Sequence, residues 1–248
     1  MPTRDDVLRE LNLAPAWTPR TRPGQAAPSA AVDEAAEPAS ARLPRADEAQ
    51  ARLARIGALE WNALADDVAA CTACGLCRTR NRTVPGVGAR DADWLFVGEA
   101  PGADEDARGE PFVGQAGRLL DNMLAAAGLS RTRNTYITNV LKCRPPGNRT
   151  PEPLEADACK PYLERQVALV RPKIVVALGK SAASLLLATD APVSALRGRV
   201  HRYGGAPLIV TYHPAYLLRT LQDKAKAWED LVLARRTLAG AVPDAPVA

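Results

Sequence analysis

The chain has 248 residues, 47% of them hydrophobic, enough to bury a sizeable core in one large domain or two small ones. A formal net charge of +4 and a pI near 8.9 permit a polyanionic partner without requiring one. No uninterrupted apolar run of spanning length occurs, so neither a signal peptide nor a membrane span is expected; in the cytoplasm so implied, the five cysteines read as metal or redox chemistry rather than as a disulfide framework.

From about Pro15 to Pro44, Ala, Pro, Glu and Arg dominate, with almost no bulky apolar residues to offset the entropy of ordering the backbone. Residues 1–48 are therefore expected to form a disordered arm. Within it Val7, Leu8 and Leu11 stand at helical spacing over Asp5 to Leu13, which suits a short docking helix or a frayed tail equally well. Leu53, Ile56, Leu59, Leu64 and Val68 predict an amphipathic helix over Glu48 to Ala70 that delivers the chain to the first cysteines. The compact domain is expected over residues 49–242, with a flexible tail at 243–248.

Trp94 to Gly98 reads as a buried strand, Gln115 to Ala127 as a helix ended by Gly128, and Tyr136 to Asn139 as a second strand. A helix follows from Leu154 to Val170, with a kink expected at Pro161 and a stop before Pro172. Ile174 to Leu178 is a strongly apolar strand, and Lys180 to Ala188 is helical. Leu208 to Thr211 makes the last strand, paired with Val200 to Tyr203 across Gly204-Gly205. Such alternation implies a three-layer α/β/α sandwich around a central, mainly parallel four-stranded sheet. Ligands bind such sheets at the carboxyl ends of the strands, which directs attention to the loops after Gly98, Thr138, Gly179 and Thr211.

Cys71-Thr-Ala-Cys74-Gly-Leu-Cys77 spaces its thiols three apart, as a tight turn needs in order to bring two sulfurs to one metal centre. Cys143 follows the second strand and Cys159 lies early in the next long helix, so two further thiolates converge if those elements pack beside the first segment. Four cysteines fit a structural zinc or a 4Fe-4S cluster. Cys77 can replace Cys71 in another register, and spacing chooses neither the metal nor the register. The bland alternative is a set of buried free thiols.

Three stretches carry a more specific signal. The first is Gly98-Glu99-Ala100-Pro101-Gly102, continued by Ala103-Asp104-Glu105-Asp106 and by Gly109-Glu110-Pro111-Phe112-Val113-Gly114-Gln115-Ala116-Gly117. The second runs from Thr138-Asn139-Val140-Leu141-Lys142-Cys143-Arg144 through Pro145-Pro146-Gly147-Asn148-Arg149-Thr150-Pro151. The third is His213-Pro214-Ala215-Tyr216-Leu217-Leu218-Arg219. In order, over roughly residues 68 to 235, the chain resembles the family 4 uracil-DNA glycosylases, the iron-sulfur branch of that superfamily. The resemblance implies a monofunctional hydrolase of DNA base-excision repair that releases free uracil and leaves an abasic site. It also implies one 4Fe-4S cluster held by Cys71, Cys74, Cys143 and Cys159, with Cys77 outside the ligand set. The cluster's role would be structural, because base hydrolysis needs no electron transfer.

A glycosidic bond inside a duplex is reached by extruding the nucleotide into a pocket where the base is stacked and its polar edge is read. Phe112, one of only two phenylalanines, lies in a Gly/Pro-rich loop and resembles the family's uracil-stacking residue; packing of the loop is the plainer use of such an aromatic. Asn139 ends the second strand, and its amide offers one donor and one acceptor, matching O4 and N3–H of uracil and mismatching cytosine. His213 follows the last strand and, by the resemblance, looks onto uracil O2, where a donor stabilises the charge that gathers on the departing base. Its protonation state is not legible in the sequence. Glu99 has two readings: a carboxylate that positions the attacking water and opposes the positive sugar, or a hydrogen-bonding anchor of its own loop, with Ala100 and Gly102 supplying backbone contacts to the base. His201, in an expected edge strand, reads as solvated or satisfied locally.

Lys142, Arg144, Arg149, Arg219, Lys224 and Lys226 are candidate phosphate contacts, and Leu217, Leu218 and Arg219 are candidate wedges for the space left by the flipped base. Gly179-Lys180-Ser181 lacks the first glycine of a phosphate loop, and Gly86-Val87-Gly88 precedes a strand, so no nucleotide cofactor is expected. The expected partner is uracil-containing DNA, single or double stranded, met by a monomer. A repair or replication protein tethered through the N-terminal arm is a further expectation. The alternatives are a non-catalytic iron-sulfur DNA-binding module, which has no use for Phe112, Asn139 and His213 together, and a relative that crosslinks to DNA through a histidine after the second strand. The stretch Cys143 to Arg149 contains no histidine.

Overall fold

The computed structural model describes residues 46–240; the expected helix near the N-terminus and the expected tail at 243–248 lie outside the described residues. Chain order is α1 (Ala46–Gly57), α2 (Trp61–Ala70), β1 (Val87–Gly88), β2 (Trp94–Gly98), α3 (Ala103–Arg108), α4 (Gln115–Ala126), β3 (Thr135–Asn139), α5 (Pro153–Val170), β4 (Ile174–Leu178), α6 (Lys180–Leu187), α7 (Val193–Leu196), β5 (Val200–Tyr203), β6 (Ala206–Thr211), α8 (Pro214–Leu217) and α9 (Lys224–Leu238). The strands make one sheet in the order β1-β3-β2-β4-β6-β5. Its four central strands are parallel, as expected; β1 and β5 add antiparallel edges, so the sheet has six strands rather than four. β1 is only two residues long, Val87 and Gly88, too short for a hydrophobic period, which is why sequence pattern passes over it.

The central strands are buried on both faces, and the two-residue period of a strand sorts their side chains into two cores. Leu95, Val97, Val175, Ala177, Leu208 and Val210 face α5, α6 and α7, where they meet Leu163, Val167, Ala183 and Leu196. Trp94, Phe96, Ile174, Val176 and Ile209 face the other way, onto Leu120 and Leu124 of α4 and Leu231 and Ala234 of α9. The expected three-layer sandwich is the observed one.

The single helix expected over Glu48 to Ala70 is two helices, broken at Ala58-Leu59-Glu60, where Arg165 Nε donates to the Leu59 carbonyl at 2.5 Å. Its first turn begins at Ala46, inside the segment expected to be disordered. Ile56, Leu64 and Val68 pack with Tyr162 of α5, which seats the N-terminal helices on the sandwich and brings Cys71 to Cys159. Pro161 lies inside α5, which continues unbroken from Pro153 to Val170. α9 was not legible as a helix because Asp230 occupies a core-facing position. That carboxylate is 1% exposed and is held by Arg197 of the segment after α7, with Nη2 at 3.1 Å from Oδ1.

Candidate active site

Parallel pairing of β2 with β3 sets Gly98 beside Asn139, and pairing of β4 with β6 sets Leu178 beside Thr211. The loops leaving these strands surround a cavity of about 490 Å³ at the carboxyl edge of the sheet. Glu99, Ala100, Gly102, Phe112, Asn139 and His213 all line it, so residues up to 114 positions apart in sequence share one wall. Arg149 and Arg219 also line the cavity; Arg144 and Leu218 do not.

Asn139 is 2% exposed, and its Oδ1 is a buried acceptor with no hydrogen-bond partner among the described residues. An orphaned amide oxygen costs free energy unless a ligand satisfies it. A methyl group on Gly98 would lie 2.3 Å from that oxygen and 2.6 Å from Cζ of Phe112, so the absence of a side chain at Gly98 lets the amide and the aromatic ring approach one another. Phe112 is 5% exposed, with its ring centroid 5.6 Å from that of His213 and the planes inclined at 32°. Its φ of +54° is a left-handed backbone that costs a bulky residue about 1–3 kcal/mol and persists only where the surroundings enforce it.

His213 caps α8, and its Nδ1 accepts the Ala215 backbone N–H at 3.1 Å. The ring proton therefore resides on Nε2, the one donor left for a ligand. Burial, reinforced by the charge of Arg219 and opposed by Glu105, pushes the imidazole pKa down to about 4, so the ring is neutral at physiological pH. Gly179 is required beside it, because a Cβ there would meet His213 Cβ at 2.8 Å; the Gly-Lys-Ser pattern has a packing cause. His201 is satisfied locally, its Nε2 lying 2.8 Å from the Leu196 carbonyl.

Two carboxylates, Glu99 and Glu105, stand at this loop. Loop anchoring falls to Glu105, whose Oε2 accepts Gly102 N–H at 3.0 Å while Oε1 accepts Val113 N–H at 2.9 Å and Gly114 N–H at 3.2 Å. Glu99 lines the cavity and has no side-chain hydrogen bond among the described residues, which leaves its carboxylate available. Glu105 was missed by sequence reasoning because its role depends on a contact eight and nine residues away across a loop.

Two candidate contacts need correction. Lys142 is no surface cation: it is 1% exposed, and its Nζ donates to Thr138 Oγ1 at 2.7 Å, to the Asn139 carbonyl at 2.6 Å and to Gln166 Oε1 at 2.6 Å. Burial pushes its pKa down to about 8. Leu217 is 1% exposed and fills the core, so it cannot act as a wedge, whereas Leu218 is 39% exposed. Arg149 lines the cavity but grips Glu155 with both terminal nitrogens, at 2.9 and 2.6 Å.

Behind the site, Cys71, Cys74, Cys143 and Cys159 line one small cavity together with Arg80, Lys142 and Tyr162; Cys77 is not among its lining residues. No group of three or more His, Cys, Asp or Glu side chains among the described residues is arranged to hold a metal ion. N–H groups are nonetheless aimed at the sulfurs: Arg80 Nη1 lies 3.2 Å from Cys143 Sγ, Arg52 Nη2 3.8 Å from Cys71 Sγ, and the Lys142 backbone nitrogen 3.3 Å from Cys159 Sγ. Such donors favour thiolate over thiol, the form a metal centre requires. Burial acts the other way, pushing Cys159 up to about 12 and raising Cys74 and Cys143.

Residues 85–232 match the model of the uracil DNA glycosylase superfamily. The chain is 47% identical over 160 residues to the type-4 uracil-DNA glycosylase of Archaeoglobus fulgidus, covering 61% of this chain and 80% of the relative. It is 42% identical over 165 residues to that of Thermotoga maritima, covering 66% and 85% respectively. A type-5 uracil-DNA glycosylase of Thermus thermophilus is 36% identical over 155 residues, covering 53% of this chain and 68% of the relative. The extent of these matches, spanning every loop that forms the cavity, makes the chain a member of the uracil DNA glycosylase superfamily, in its type-4 branch.

Proposed function

We propose that this protein excises uracil from DNA by hydrolysing its N-glycosidic bond, releasing free uracil and leaving an abasic site. The observation that carries the reading is the unpartnered Oδ1 of Asn139 in a cavity whose other walls are an aromatic ring and a neutral histidine. With the base extruded and stacked on Phe112, Asn139 Oδ1 accepts N3–H and Nδ2 donates to O4. Cytosine, with an acceptor at N3 and a donor at C4, opposes both contacts. As the bond from sugar to base breaks, electrons collect on the base, and Nε2–H of His213 donates to O2; a neutral donor suffices because the charge it meets is largest in the transition state. Glu99 orients the attacking water and opposes the positive charge on the sugar, and Ala100 and Gly102 shape the cavity beside it. Arg219 and Arg149 at the cavity, with Arg144 and Leu218 beyond it, hold the flanking backbone and fill the vacated stack. The protein acts as a monomer on cytoplasmic DNA, since one flipped base needs one site.

Cys71, Cys74, Cys143 and Cys159 would hold a 4Fe-4S cluster, for which their shared cavity and the N–H groups directed at three of the sulfurs are the support. Such a group would supply no redox step; bound, it would fasten the segment after α2 to the loop after β3 and to α5.

The test is cleavage of a uracil-containing oligonucleotide by anaerobically purified protein beside its Asn139→Ala and His213→Ala variants. Abasic product from the wild type, falling about 100-fold or more in each variant, is expected; no product from iron-loaded wild type would refute the reading. Iron content of single Cys→Ser variants tests the ligand set: Cys77→Ser retains iron, and substitution of any of the other four lowers it.

A further inference from the structure

The loop that carries Phe112 is clamped from both sides by charged side chains. On one side Glu105 takes the N–H groups of Val113 and Gly114. On the other, Arg131, from the connection between α4 and β3, donates from Nη1 to the Pro111 carbonyl at 2.8 Å and from Nη2 to the Phe112 carbonyl. The guanidinium is itself oriented by Asp121, whose Oδ1 lies 2.5 Å from Nε, and lies 3.6 Å from Glu110. A third restraint is steric. A Cβ on Gly117 would sit 1.7 Å from the Phe112 carbonyl oxygen, so the carbonyl that Arg131 holds occupies space that any other residue at 117 would fill.

These contacts hold the three successive peptides between Pro111 and Gly114, which enclose the left-handed Phe112 at φ +54°. Left to itself the residue would relax toward the ordinary extended or helical regions, and the ring would leave its place 5.6 Å from the His213 ring. A planar fork of fixed geometry can hold two successive carbonyls at once, which a lysine's single ammonium cannot do with the same directionality. The Arg131 side chain is 18% exposed, so the clamp is reachable by water and is not a buried pillar of the core. Its arrangement therefore suits fixing a ring before a ligand arrives better than it suits holding the fold together.

We propose that Arg131 is a positioning residue for base recognition, whose guanidinium holds the Pro111 and Phe112 carbonyls so that the Phe112 ring stands ready to stack on the extruded base. The inference rests on the uracil-excision reading above.

Single-turnover cleavage of a uracil-containing oligonucleotide at saturating enzyme, measured for wild type, Arg131→Ala, Phe112→Ala and the double variant, tests it through a mutant cycle. Arg131→Ala is expected to slow cleavage about tenfold, equivalent to about 1.4 kcal/mol, with little change in melting temperature. In the Phe112→Ala background the same substitution is expected to cost less than twofold, because the ring it positions is gone. A rate for Arg131→Ala within twofold of wild type overturns the proposal, as does an equal loss in both backgrounds, which a general structural role would give. Arg131→Lys retains the charge opposite Asp121 but loses the fork; it is expected to fall between wild type and alanine, and it carries the same cycle if the alanine variant does not fold. Wild type that releases no uracil refutes the excision reading itself, and the positioning role falls with it; an active wild type with an unperturbed Arg131 variant refutes the positioning role alone.

Discussion

Replacing Gly98 by alanine perturbs the wall proposed to read the base without replacing any of the proposed reading groups. Gly98 ends β2 with a backbone that alanine adopts freely, since it is absent from the residues with positive φ, so the effect is steric. The added methyl would stand 2.3 Å from Asn139 Oδ1 and 2.6 and 2.9 Å from two ring carbons of Phe112. To reach ordinary contact at 3.4 Å the amide oxygen must retreat by roughly 1.1 Å and the ring by roughly 0.8 Å, and displacement on that scale costs about 100-fold in a reaction that depends on alignment. The atoms that clash belong to side-chain ends facing a cavity, so the fold bears only an overpacking cost of about 1–3 kcal/mol. Single-turnover cleavage at saturating enzyme, read beside a thermal melt, separates the two effects. The expected result is a folded protein slowed about 100-fold. A folded variant within threefold of the wild-type rate would refute the reasoning, because it would mean that the closeness of Asn139 and Phe112 is not what the site uses.

Two further outcomes follow from the buried groups. Since His213 has its pKa depressed to about 4 in the fold against 6.5 for the free side chain, the unfolded chain binds the extra proton first. The stability contributed by this residue is therefore complete above pH 6.5 and is lost as the pH falls toward 4, and the cleavage rate stays level through pH 6.5 down to about 5. A ring-proton NMR titration checks this; an inflection near 6.5 assigned to His213 would contradict the neutral donor. Lys142→Met leaves the buried acceptors Asn139 O and Gln166 Oε1 to share the single hydroxyl of Thr138, a loss of about 1–3 kcal/mol visible as a lower urea midpoint. An unchanged midpoint would mean that water replaces the ammonium.

Periodicity placed the central strands correctly because residues such as Ile174 to Leu178 are buried on both faces, and a run of that kind has few alternatives. It failed at α9, where Asp230 interrupts the apolar stripe; partners distant in sequence, foremost Arg197, 33 residues earlier, make a carboxylate acceptable there. The candidates Phe112, Asn139 and His213, which the structure brings to one cavity, could be picked out because their motifs are local, each at the end of a strand or in the loop beyond it. What supports them was not. Glu105 and Arg131 act on the Phe112 loop from outside it, and Lys142, which reads as a basic surface residue beside Arg144, turns inward to Thr138, Asn139 and Gln166.

By itself, then, the sequence determined the alternation of strands and helices, the edge of the sheet where chemistry gathers, and the residue types present there, because all of these follow from patterns within a few residues. Only the tertiary structure decided which cysteines line a common cavity, that His213 is neutral with its proton on Nε2, which of Glu99 and Glu105 is free, and whether Lys142 meets DNA or core. Those outcomes depend on burial and on partners brought close by packing, and neither the dielectric around a group nor the direction of its donors is written in its neighbours along the chain.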